Sequence, residues 1–136
     1  MKKILIIFSL ILLVASNINA QIEKHIKWTY STKQISDDVT ELIFKATIDE
    51  SWHLYSPYNT PGGARPLEIF YNDSNKFVFS GKITETPKPT EVYDEIFEKT
   101  ESFFAKEATF KQKIKTTSET DFVLTGYLEG QICLED

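Results

Sequence analysis

The chain has 136 residues, 41% of them hydrophobic and 26% charged, which is room for one domain and excludes a multidomain machine. With 15 Lys plus Arg against 20 Asp plus Glu the formal charge is −5, and no basic run is present that would neutralise a phosphate backbone, so nucleic acid is not expected as a partner. Ten Phe and six Tyr against a single Met favour pleated, half-buried surfaces over helical ones.

Met1, Lys2 and Lys3 form a positive head, residues 4–15 an almost unbroken apolar stretch, and residues 16–20 a small polar tail ending in Ala20. This is the pattern of a secretory signal peptide cut before Gln21. The apolar stretch is short for a bilayer span, and Gln21 in place of Cys argues against a lipid tether at this end. Removing residues 1–20 discards two of the 15 basic residues and leaves 116 residues with 13 basic against 20 acidic side chains, net −7. A domain of that size buries roughly two thirds of its extended surface and needs no crosslink to fold. The single cysteine, Cys133, therefore requires another explanation in an oxidising compartment.

Residues 21–136 form the expected domain, and their recurring period is two. Residues 25–32, with Trp28 and Tyr30, read as a first strand, and Ser36, Asp37 and Asp38 as the turn after it. Leu42, Phe44, Ala46 and Ile48 alternate with Glu41, Ile43, Lys45 and Thr47, which predicts a strand with one buried face. Residues 52–55 predict a short aromatic strand that places His53 and Tyr55 on one face and Trp52 and Leu54 on the other. Residues 56–66 hold three Pro and two Gly and predict a constrained loop. Strands are expected at 67–71 and 77–79, followed by a break at Pro87 and Pro89. Residues 93–104 fit neither period and predict a loop with one helical turn. Residues 110–115 and 122–133 close the pattern as two strands, with Phe122, Leu124, Gly126, Leu128 and Ile132 on one face of the last and Gln131 and Cys133 on the other. Short strands at such spacings predict an all-β antiparallel sandwich.

Several chemistries lack support. His25 and His53 stand in no metal-ligand spacing, no nucleophile-elbow motif is present, and Asp94 and Glu95 are more simply a solvated face than a glycosidase pair. Neither a metal nor any other cofactor is called for. Cys133 is the sharper candidate, either as a reactive thiol or as a small buried hydrophobe. Glu129, Glu135 and Asp136 around it make its segment polar for a core, and acidic neighbours disfavour the thiolate. A protonated thiol near the surface is the expectation.

Trp52-His53-Leu54-Tyr55-Ser56, Gly62-Gly63-Ala64-Arg65-Pro66, Asp94-Glu95-Ile96-Phe97 and Gly130-Gln131-Ile132-Cys133-Leu134-Glu135-Asp136, in this order after a signal peptide, resemble the N-terminal periplasmic domain of the DsbD-type thiol:disulfide interchange proteins. The resemblance spans nearly all of residues 21–136 and is thinnest over residues 67–88. It implies an immunoglobulin-like sandwich with protein-disulfide reductase activity, relaying electrons from a membrane transporter domain to thioredoxin-like periplasmic proteins of the disulfide isomerase or cytochrome c maturation type, without a small-molecule cofactor. Cys133 matches the first cysteine of the family's redox pair, and the sequence ends at Asp136 before a second, the pattern expected of a C-terminally truncated domain. The family's lid over its cysteines falls on Asp94, Glu95, Ile96 and Phe97, with Ile96 or Phe97 shielding the sulfur and the two acids adding negative field. An ordinary surface loop with Phe97 tucked into the core is the plainer alternative. By the same resemblance His53 and Tyr55 line the cysteine pocket, while Arg65, the only Arg, braces its own loop or positions a partner.

Two readings of other classes stay open. One is a redox-silent exported binding module in which Cys133 is incidental; the other is an envelope domain that dimerises through Cys133.

Overall fold

A computed structural model describes residues 25–135; the leader assigned to residues 1–20 lies outside them, as does Asp136. The described chain forms eleven strands in antiparallel ladders that pack as a sandwich. One layer has the order β1-β2-β9-β5, from β1 (Ile26–Gln34), β2 (Val39–Ile48), β9 (Glu107–Thr116) and β5 (Phe77–Phe79), with β6 (Thr84–Thr86) also on β9. The opposing strands form two groups. One runs β11-β3-β8-β7, from β11 (Ile132–Leu134), β3 (Trp52–Tyr55), β8 (Lys99–Phe104) and β7 (Thr90–Asp94); the other pairs β10 (Gly126–Glu129) with β4 (Glu68–Tyr71).

The alternation in β2 sets the core. Leu42, Ala46 and Ile48 are buried along one face, while Lys45 and Thr47 between them are exposed. Ala46 and Ile48 meet Ala108 and Phe110 of β9, then Leu54 of β3 and Phe104 of β8 from the other layer. Phe110 has no exposed surface, and burying a ring that size contributes about 2–3 kcal/mol. Leu42, Phe77 and Ile114 make a second cluster, covered by Phe122 and Leu124.

Two expectations fail here. Residues 93–104 are a β-hairpin, β7 to β8, with its turn at residues 95–98 and Glu98 in the left-handed region at φ 54°. The period is masked because both faces of β8 are covered: Phe104 enters the core, while Glu101 is buried beneath the 56–66 loop. The final segment is also no single strand. Residues 122–125 are irregular, β10 pairs with β4, and β11 pairs with β3. The switch falls at Gly130, where a β-carbon would stand 3.2 Å from the Leu67 backbone. Parity survives the switch, so Leu128 and Ile132 both pack on the core.

Candidate functional site around Cys133

Cys133 lies on β11 at the edge of its sheet and is half-buried. The antiparallel register places it directly opposite His53, with Leu54 opposite Ile132. Opposite residues share a sheet face, so Cys133 and His53 look away from the core that Leu54 and Ile132 fill. Tyr55 comes two residues along β3 on that same face, and Phe103 of β8 stands opposite it. The His53 ring lies flat on Phe103, centroids 4.0 Å apart at 16°, and the Tyr55 ring meets Phe103 edge-on at 6.3 Å. The structure therefore puts Cys133, His53 and Tyr55 on one sheet face, together with Phe103.

One donor addresses the sulfur: Gln131 Nε2 donates to Sγ over 3.8 Å. Tyr55 is near enough on the same face for the thiol to act on its phenol. Tyr55 is almost wholly buried, and that burial, the neighbouring Cys133 and the nearby Glu101 and Asp94 charges all push its phenol far above the usual tyrosine range. It is a donor at any physiological pH. Gln131 is a site residue that the sequence reading named only by its face. Its place two residues before Cys133, just ahead of β11, is the signal that marks it.

The 56–66 loop closes over this face because its polar groups find partners on β8. Ser56 N–H donates to the Ser102 carbonyl at 2.9 Å, and Asn59 Oδ1 accepts from Ser102 N–H at 2.7 Å. The buried Glu101 carboxylate accepts from Asn59 Nδ2 and, at 3.0 Å, from Ala64 N–H. Arg65 at the loop's end pairs with Glu129, and its backbone N–H donates to Gln131 Oε1 at 2.9 Å. Arg65 thus ties its loop to the strand that leads to Cys133.

The acids near the thiol are engaged. Glu129 holds Arg65, and Glu135 Oε2 lies 3.6 Å from His53 Nε2. Asp94 ends β7 and uses Oδ1 to accept the N–H groups of Ile96 (2.7 Å) and Phe97 (3.0 Å), which fixes the hairpin tip. Its charge also raises the Tyr55 phenol. Glu95 is exposed, Ile96 is 89% exposed and Phe97 is half-buried, so of the two apolar lid candidates Phe97 is the less exposed.

Trp52 and Leu54 turn away from the thiol; Leu54 is buried, and Trp52 stacks on His25 at 3.7 Å. Among the described residues no group of three or more His, Cys, Asp or Glu side chains gathers as metal ligands do, and no helix is long and apolar enough to cross a membrane. No protein-family model matches the chain, and no curated protein or solved structure matches it.

Proposed function

We propose that this is an exported thiol-disulfide exchange domain in which Cys133 is the reacting group. The Cys133 thiolate attacks a disulfide of a thioredoxin-like partner, the partner's S–S bond breaks, a Cys133–partner disulfide forms, and the displaced sulfur leaves as a thiolate that takes up a proton. A second thiol then resolves the mixed disulfide. This chain holds one cysteine, so that thiol comes from a partner or from sequence beyond that given. Electrons supplied by a membrane transporter domain would re-reduce Cys133, in keeping with the resemblance to the DsbD-type domains and their immunoglobulin-like fold.

The observation that carries the reading is the placement of Cys133. It stands half-buried at a sheet edge, on the face away from the core, with the Gln131 amide turned to its sulfur and Tyr55 on the same face. A cysteine serving as a small core hydrophobe would sit on the opposite face, with Ile132. The test is to mix the exported chain with an oxidised thioredoxin-fold protein and resolve the products without reductant. A covalent adduct that disappears in Cys133→Ser supports the reading; a wild-type chain inert to every oxidised donor ends it.

A second reading has its own observation. A cavity of about 620 Å³ opens between β1 and β10, lined among others by Tyr30, Phe44, Phe70 and Tyr127. If the chain is a redox-silent binding module, its partner binds there and Cys133→Ser leaves binding intact.

A further inference from the structure

Gln131 makes two side-chain contacts that fix its amide. Its Oε1 faces the Arg65 backbone N–H at 2.9 Å, and a backbone N–H is only a donor, so that end of the amide is the oxygen. Nε2 is thereby turned to the Cys133 sulfur at 3.8 Å. Its own backbone is held too: Gln131 N–H donates to the Arg65 carbonyl at 3.2 Å, and its carbonyl accepts from Tyr55 N–H at 3.4 Å. The side chain is clamped between the 56–66 loop and the thiol.

We propose that Gln131 is a positioning residue for Cys133: anchored by Arg65, its amide holds a preoriented donor against the sulfur and stabilises the thiolate that forms there. The inference rests on the exchange reading for its purpose, though not for its test. Around the thiol, His53 stands opposite with the Glu135 carboxylate 3.6 Å from its Nε2, the Asp94 and Glu101 charges act on the neighbouring Tyr55, and the Arg65 cation is occupied by Glu129. A neutral donor directed at the sulfur offsets that negative surrounding, and a hydrogen bond to a charged group is the stronger kind.

Two variants separate this role from simple bracing. Gln131→Met keeps the length and removes both contacts. Gln131→Glu keeps an acceptor for Arg65 N–H and replaces the donor with an anionic oxygen. Near pH 7 a thiol reacts in proportion to its thiolate fraction, partly offset by lower nucleophilicity, so iodoacetamide should alkylate Gln131→Met about fivefold more slowly than wild type and Gln131→Glu more slowly still. The gap should narrow as pH rises and the thiol ionises in every variant. Wild-type rates in both, or a slow Gln131→Met beside a normal Gln131→Glu, would overturn the proposal, the latter by showing that Gln131 only braces Arg65. Near-ultraviolet circular dichroism checks folding; if Gln131→Met is misfolded, Gln131→Glu decides alone. Alkylation needs no disulfide partner, so failure of wild type to form a mixed disulfide would end the exchange reading and leave these rates to judge Gln131.

Discussion

Gly63 lies so close to the Glu101 carboxylate that a β-carbon added to it would stand 1.9 Å from Oε1. That approach lets the loop backbone reach the buried acid, so that Ala64 N–H and Asn59 can satisfy it. Gly63→Ala must push either the loop or the Glu101 side chain aside, and the cost should be that of overpacking, about 1–3 kcal/mol by urea unfolding. Because the same loop anchors Gln131 through Arg65, the variant should also show a more loosely held Cys133, read as altered alkylation kinetics.

Tyr55→Phe removes one hydroxyl and keeps the ring against Phe103. Stability should change by less than about 1 kcal/mol, since the ring stays packed and only the hydroxyl is lost. The thiol keeps its Gln131 donor and loses a polar neighbour. Alkylation of Cys133 near pH 7 should slow by less than about fivefold, a smaller effect than that of removing the Gln131 donor, with wild-type stability in the same preparation.

The lid drawn from the resemblance divides at its tip. Phe97 is half-buried and Ile96 is 89% exposed, so if a lid shields the thiol, Phe97 is the side chain of the two that has packing to contribute. Phe97→Ala should speed oxidation of Cys133 by hydrogen peroxide severalfold, and Ile96→Ala should leave the rate at wild type. Equal rates in Phe97→Ala and wild type would remove the shielding role.

Much of the fold was legible wherever one face of a strand is wet. β2 declares itself because Lys45 and Thr47 point to solvent between buried Ala46 and Ile48, and β3 was read with its bounds and faces intact. β8 was hidden for the converse reason. A loop forty residues earlier in the chain covers its outer face, so an acid at Glu101 is buried where alternation expects exposure. The strand switch at Gly130 was hidden because two consecutive strands of equal parity carry one continuous pattern. In the site, the His53, Tyr55 and Cys133 grouping came from the resemblance. The part played by Gln131 depends on Arg65, sixty-six residues away, and no local pattern encodes that.

Tyr71 supplies a pH test of the core. Its ring meets Phe77 at 5.7 Å and Phe44 at 6.5 Å, both edge-on, while its hydroxyl is buried without a hydrogen-bond partner among the described residues. Burial pushes the phenol up to about 12, because the ionised form would lose its water. A group whose folded value is raised favours the folded state while it is protonated. That contribution is therefore whole below the unfolded value of about 10 and is lost as pH climbs toward 12. Tyr71→Phe removes this liability and an unpaired polar atom together. It should be neutral or stabilising by up to about 1 kcal/mol near pH 7, and urea midpoints followed from pH 9 to about 12 should fall less steeply than in wild type. A clear loss of stability at neutral pH would mean that the hydroxyl is satisfied by a group beyond the described residues.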